Sequence, residues 1–364
     1  MKQKKSSDRY GRFSETLEQL QQQHLHRKLH VEEQKVLFSS NDYLGLSKHP
    51  KVISAAKQAL ETWGFGSGSA RTFSSHLPFY HTCEELLANT LQTEKALLFS
   101  SGYQLNSTLL KALANENTLF FLDKYCHRSL LEGALNSAGK VFRFKHNDPE
   151  HLQDLLKKHR GEGQEAWIVT ESLFSMHGTR GAIAELIELK NRYDTFLLVD
   201  IAHTLGITSP PSASIDLLVG GFGKALGGFG GFVAGNSILI DYILNTSPGF
   251  LFTTALPPAI VAGLTEGLRI LPELDSERAK LFNNASLLRE KLSLPPGDYI
   301  VPYPVASPEV ALSLSQSLRD AGFQVPAVRP PTVPPNGSLL RFSVTSAHTP
   351  DQIEAVTKHL LNSR

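Results

Sequence analysis

Short apolar runs rich in β-branched and aromatic residues recur through the middle of the chain. They fall at Ala96–Phe99, Thr118–Leu122, Val141–Phe144, Ala166–Thr170, Phe196–Val199, Ile215–Val219 and Gly231–Ala234. Between several of them apolar residues return at helical spacing, as in Leu152–His159 and Ile183–Tyr193. Short apolar strands alternating with amphipathic helices predict an α/β fold, a large and mostly parallel sheet with helices on both faces.

The flanks read differently. Residues 1–35 are polar and predict a helical arm, with His24, His26 and His30 read as a solvated face, since their spacing fits no standard metal site. The Pro/Gly-rich stretch Ser247–Pro258 ends the alternating pattern, and Ala259–Leu292 reads as helical. Pro295–Pro304 reads as turn-rich, Leu339–Val344 as a strand and Pro350–Asn362 as a helix. The expected division is an N-terminal arm over 1–45, a large domain over 46–280 and a small α+β C-terminal domain over 281–364.

Composition narrows the class without deciding it. Lys plus Arg number 36 against 35 Asp plus Glu, so there is no general electrostatic pull toward nucleic acid or a membrane surface. Two cysteines, Cys83 and Cys126, are too few for a disulfide framework and read as free thiols. Met1–Ser7 has no apolar core behind it, and no apolar stretch is long enough to span a bilayer, so the expected location is the cytoplasm.

Ligands of an open parallel sheet gather at the C-terminal ends of its strands. After Phe196–Val199 comes Asp200-Ile-Ala-His203, which reads as an acid and imidazole facing one pocket or, slightly more readily when taken alone, as a helix cap with a structural His. Ile215–Val219 is followed by a run from Gly220 to Gly231 in which Lys224 is the one lysine among seven glycines. A phosphate loop is excluded because Ala225 stands where Ser or Thr is needed, and a dinucleotide site because no acid ends the next strand. After Ala96–Phe99, the helix start at Gly102 and Tyr103 could present bare N–H groups to a phosphate. His127 follows Thr118–Leu122, and Ser175 follows Ala166–Thr170. Together these supply what pyridoxal phosphate requires: a lysine for a Schiff base (Lys224), an acid for the pyridine nitrogen (Asp200), a flat stacking group and a phosphate cup.

These residues sit in a set of stretches that resembles the α-oxoamine synthases, a branch of the fold-type I pyridoxal-phosphate transferases. The matching runs are Phe38–Leu46, Ala96–Tyr103, Val169–Met176, Phe222–Ala225, Thr253–Pro258 and Leu340–His348, so the resemblance spans nearly the whole chain. It implies Lys224 as Schiff-base lysine and proton shuttle, Asp200 on the pyridinium nitrogen, His203 on the phenolic oxygen and His127 stacked on the ring. Gly102, Tyr103 and Ser175 would help hold the cofactor. Arg341 would bind the amino-acid carboxylate, Thr332 would lie near the acyl substrate, and Asn41 lies in the active-site entry stretch. A homodimer with shared active sites is implied, with Thr253 or Thr254 reaching the partner's phosphate. The run Arg329–Pro334 points to the branch that condenses L-alanine with a pimeloyl thioester, on CoA or a carrier protein, to 8-amino-7-oxononanoate for biotin synthesis.

Several positions depart from the family pattern. Gly221 stands where a Thr or Ser usually touches the phosphate, which predicts a weaker hold unless a threonine of the partner chain compensates. Ile201 replaces a common acid, and His177-Gly-Thr179 replaces Asp-Gly-Asp. The stretch from Gly66 has Ser75 at an expected glycine. Arg27 is a candidate for the family's N-terminal substrate arginine. The alternatives are a relative using glycine or serine with another acyl-CoA, and a catalytically silent relative. The second would be expected to lose the lysine, which is retained.

Overall fold

In the computed structural model, which describes residues 9–27, 29, 35–74, 77–161, 163–208 and 211–363, each of the seven central apolar runs contributes a strand. Met1–Ser7, His30, Ser75 and His76 lie outside the described residues. In chain order the elements begin with α1 Gly11–Gln22, β1 Val36–Leu37, α2 Pro50–Trp63, α3 Pro78–Leu91, β2 Lys95–Phe99, α4 Gly102–Leu113, β3 Thr118–Asp123 and α5 Arg128–Leu135. Next are β4 Lys140–Phe144, α6 Pro149–His159, β5 Glu165–Glu171, α7 Ile183–Tyr193, β6 Phe196–Asp200, β7 Leu217–Gly221 and β8 Gly231–Gly235. The C-terminal part holds α8 Ser237–Thr246, α9 Pro248–Leu251, α10 Pro258–Ile270, α11 Asp275–Lys291, β9 Ile300–Pro304, α12 Pro308–Asp320, β10 Phe323–Gln324, β11 Ala327–Val328, β12 Leu339–Ser343 and α13 Pro350–Asn362.

Seven strands form one sheet in the order β2-β8-β7-β6-β5-β3-β4. All its pairs are parallel except those of β8, which runs antiparallel to both neighbours. The link 222–230 is too short for a parallel crossover, so β8 must turn back. Its return places Gly221, Gly231 and Phe99 side by side, on the same edge as the paired strand ends Glu171 and Asp200. Every residue whose chemistry the sequence singled out at a strand end therefore faces one edge of the sheet.

Apolar side chains fill both faces. One core lies between the sheet and α4, α5 and α8, with Leu105, Leu109, Trp167 and Ile243 inside it. The other runs from Leu87 and Phe121 on the opposite face of the sheet through Val261 and Leu288 to Leu340, Phe342 and Val356, without a break before the C-terminal strands.

β9, β11 and β12 form a separate antiparallel sheet in the order β11-β12-β9. The stretch Pro295–Pro304, expected to be turn-rich, contains β9. Its prolines are tolerated because β9 is an edge strand, so the missing N–H groups deprive no second neighbour. The helical stretch 259–292 is broken at Pro272, with a single tight turn at Leu271–Glu273 between α10 and α11.

The segment after the arm is tied into this C-terminal layer. β1 pairs in parallel with β10. Phe38 is fully buried, packs edge-on against Phe342 at 5.7 Å and stacks on His348 at 4.1 Å. Burial pushes the His348 imidazole down to about 4, opposed by a backbone hydrogen bond to Leu37. Its folded value lies below the ordinary 6.5, so the unfolded chain takes up the proton first as pH falls. Stability should therefore decline between about pH 6.5 and 4, by roughly 3 kcal/mol from this group. Urea unfolding across that range should show the decline, and His348→Asn should flatten it; an equal slope in the variant would refute the assignment.

Candidate active site

Lys224 projects from the link between β7 and β8. The link is pinned across its mouth by Phe222 N–H donating to the Gly230 carbonyl at 3.0 Å, and Gly227 N–H closes a turn on the Lys224 carbonyl at 2.8 Å. Gly227 has φ of +60°, and a Cβ there would lie 2.2 Å from Ser47 N, so only glycine fits this turn. The lysine faces a cavity of about 210 Å³ at the ends of β5, β6 and β7.

Gly102, Tyr103, His127, Ser175, Asp200 and His203 all line this cavity with Lys224, although they come from separate loops. Asp200 is buried, its carboxylate accepting from Asn106 Nδ2 at 3.0 Å and from Ala202 N–H at 2.8 Å. His203 is buried with Nδ1 2.7 Å from the Tyr43 hydroxyl. Burial, then the charges of Lys224 and Arg341, hold its imidazole well below the usual range, so it is neutral. Burial pushes the Tyr43 phenol up to about 12, against the opposing charge of Arg341. Desolvation lowers the half-buried Lys224 amine, while Asp200 and Glu171 pull it back up.

His127 opens onto the cavity, and its Nδ1 lies 2.7 Å from Ser129 Oγ. The Tyr103 ring stands edge-on to it at 6.2 Å, and the Tyr103 hydroxyl donates to Glu132. Ser101 caps α4 by accepting from Gln104 N–H at 3.1 Å. The N–H groups of Gly102 and Tyr103 make no bond to the described protein, which leaves a helix start open to an anion.

Arg341, on β12, is buried. Its Nε donates to the Ser175 carbonyl at 2.6 Å, and its two terminal nitrogens donate to Asn41 Oδ1 at 3.3 and 3.2 Å. Asn41 thus sits on the fork of Arg341 rather than among the residues that line the Lys224 cavity. Thr332 is exposed and accepts from Arg27 at 3.4 Å. Thr253 and Thr254 do not line the cavity of their own chain; Thr253 lines a smaller one beside Arg71 and Phe250.

Three residues were given no role from the sequence. Glu171, the buried end of β5, lines the cavity and accepts from His127 N–H. Burial, then the charge of Asp200, raises its carboxyl well above the usual range. Asn106 and Tyr43 position Asp200 and His203. The signal for Glu171 was an acid closing an apolar strand, the same signal that marked Asp200. Of the departures, Ile201 turns into the apolar core and does not reach the cavity.

The residues present suit pyridoxal phosphate. They offer an amine, a buried carboxylate, a neutral imidazole and a helix start with free N–H groups. The backbone also makes room: a Cβ on Gly231 would meet Gly102 N at 2.6 Å, so α4 packs directly on the glycine strand ends. At Gly221, by contrast, the nearest atom to an added Cβ is the Gly230 carbonyl at 3.7 Å.

The sequence model of the aminotransferase class I and II family matches residues 33–360. The chain is 38% identical to 8-amino-7-oxononanoate synthase of Methylobacterium nodulans, over 89% of this chain and 86% of the relative. It superposes on the serine palmitoyltransferase of Sphingomonas wittichii with a TM-score of 0.91 and 26% identity, over 98% and 97% of the two chains. A structure of SPT with PLP gives a TM-score of 0.90 and 27% identity, with 97% of each chain covered.

The open space at Gly221 leads to a prediction. Gly221→Thr should place a hydroxyl in the phosphate cup and tighten pyridoxal phosphate binding roughly ten- to a hundredfold, the value of a hydrogen bond to a charged group. Equilibrium dialysis of the cofactor against both proteins measures this, and unchanged or weaker binding in the variant would count against that placement of the phosphate.

Proposed function

The chain belongs to the aminotransferase class I and II family, and on that premise we propose that it condenses L-alanine with a pimeloyl thioester to give 8-amino-7-oxononanoate. The observation that carries this reading is the meeting of Lys224, Asp200, His203 and His127 at one sheet edge, beside the anion-ready start of α4. The identity to oxononanoate synthases supports the choice of substrates.

Overall, a bond forms between the alanine Cα and the acyl carbon, the C–S bond of the thioester breaks, and the alanine carboxylate leaves as carbon dioxide. Pyridoxal phosphate, when bound, supplies the electron sink that makes the Cα proton acidic enough to remove. Lys224 holds the cofactor aldehyde carbon and then accepts and returns the proton at Cα, a task helped by the lowering of its amine. Asp200 would stand against the ring nitrogen, and Asn106 and Ala202 keep Asp200 in place. His203 would meet the phenolic oxygen, His127 would cover the ring, and Ser175 would border it. The N–H groups of Gly102 and Tyr103 would hold the phosphate. Arg341 takes the alanine carboxylate on its fork, in exchange for Asn41, and Thr332 lies on the acyl side.

A homodimer is part of this proposal. Phe65, Phe73 and Phe252 are largely exposed, and Thr253 and Thr254 lie beside the last of them, away from their own cavity. A second copy would cover these rings and bring the threonines to its phosphate cup. Light scattering should give twice the chain mass. Among the described residues no helix is long and apolar enough to cross a membrane.

Lys224→Ala should abolish turnover of L-alanine with pimeloyl-CoA, measured as thiol release, and should lose the visible band that the parent shows with its cofactor. Near-normal turnover in the variant would refute the assignment. A parent that turns over glycine or L-serine but not L-alanine would keep the family and change the substrate.

A further inference from the structure

Two loops leave the ends of the neighbouring parallel strands β3 and β5. The first, after Asp123, carries His127 into the cavity. The second, after Glu171, carries Ser175, whose carbonyl accepts Arg341 Nε at 2.6 Å. Between them the rings of Tyr125 and His177 lie face to face, with centroids 4.1 Å apart and planes 8° from parallel. Neither residue lines the cavity.

A third loop, after β4, closes the cluster. The His146 ring lies 4.5 Å from Tyr125 and edge-on to Phe174 at 4.4 Å. Its Nδ1 is 3.0 Å from the Asp123 carboxylate, and its Nε2 is 2.8 Å from the Thr179 hydroxyl. Asp123 also accepts from Tyr125 N–H at 2.8 Å and from Asn147 N–H at 2.9 Å. Position 177 thus holds an imidazole in an aromatic stack, and position 179 a hydroxyl bonded to a second imidazole.

The other side of the same turn faces the C-terminal layer. Met176 packs on Val328, Val333 and Leu339. Gly178 has φ of +62°, and a Cβ on it would lie 2.2 Å from the Ile300 carbonyl of β9, so the turn has no room to slide that way. The loop is therefore held on one side by the Tyr125–His177 stack and on the other by the sheet that carries Arg341.

We propose that the Tyr125–His177 stack is a clasp that positions Arg341 for the amino-acid carboxylate. It fixes the loop over 172–179, the Ser175 carbonyl on that loop fixes Arg341 Nε, and the guanidinium fork is thereby aimed. Tyr125 and His177 are positioning residues, since they touch neither cavity nor fork. This rests on the reading of Arg341 as the carboxylate ligand.

His177→Ala should raise the KM for L-alanine about three- to tenfold, the range an aromatic pair supports, with kcat and the KM for the acyl thioester within about twofold. His177→Phe, which keeps a ring in the stack, should restore the parent KM. Tyr125→Ala should match His177→Ala, and the double variant should be no worse than either alone. The stack itself is read without turnover, in the cofactor-free protein: the His177 ring proton resonance, identified by its loss in His177→Phe, should be shifted upfield by the Tyr125 ring and should return toward its ordinary position in Tyr125→Ala. An unshifted resonance in the parent, a shift with no change in the L-alanine KM of His177→Ala, or a fall in kcat at unchanged KM would each overturn the clasp. If the parent acts on glycine or L-serine instead, the substrate reading fails while the same ratio is expected for that amino acid. A parent that binds no amino acid would overturn both.

Discussion

The site depends on how two buried carboxyl groups are placed. Glu171 and Asp200 end adjacent strands as register partners, and both line the cavity that holds Lys224. Two ionised carboxylates this close, out of water, repel each other strongly. Asp200 receives the Asn106 amide and the Ala202 N–H, whereas among the described residues Glu171 receives the His127 N–H. Burial, then the charge of Asp200, raises the Glu171 carboxyl well above the usual range. His203 is held neutral first by its burial and then by the charges of Lys224 and Arg341. Both carboxyl groups face the lysine and pull its amine back up against the effect of burial.

Backbone contact creates the space in which this balance operates. The start of α4 rests on Gly220, Gly221 and Gly231 with no side chains between them, which brings its bare N–H groups to the sheet edge that also carries Lys224. The opposite wall is supplied from the two ends of the chain. The segment after β1 brings Asn41 and Tyr43, and β12 brings Arg341; both are anchored by the same apolar core, through Phe38, Phe342 and Tyr299. Tyr43 shows how the halves are joined, since it packs on Tyr299 at 4.7 Å while its hydroxyl meets His203.

Much of this was legible in the sequence because strand ends are local signals. A buried apolar run followed by an acid, a histidine or a glycine-rich turn marks a position on the sheet edge, and Asp200, His127 and Lys224 were found that way. What escaped was set by distance along the chain. The Tyr43–His203 contact joins residues 160 positions apart, and the Asn41–Arg341 contact joins residues 300 apart, so no local pattern announces either. Glu171 was visible as a strand-end acid, but the raising of its carboxyl depends on the register of β5 with β6. The prolines of β9 suggested turns, because being an edge strand is a property of the sheet and not of the segment.

On the proposed reading, Arg341 is what makes the site select a carboxylate. Its guanidinium is buried, yet among the described residues it bonds only neutral acceptors: the Ser175 carbonyl, Asn41 and the Ser343 hydroxyl. A buried cation without an anion is costly, and neutral oxygens offset that only in part. The terminal nitrogens meet at a single amide oxygen, Asn41 Oδ1, which leaves the planar fork aimed where two carboxylate oxygens could replace it. A ligand bearing a carboxylate would supply both the charge and the geometry that the protein withholds, whereas an amine lacking it would leave the cation as it stands. On the proposed reading, the affinity for the amino acid then comes chiefly from completing an ion pair that the fold has already half built.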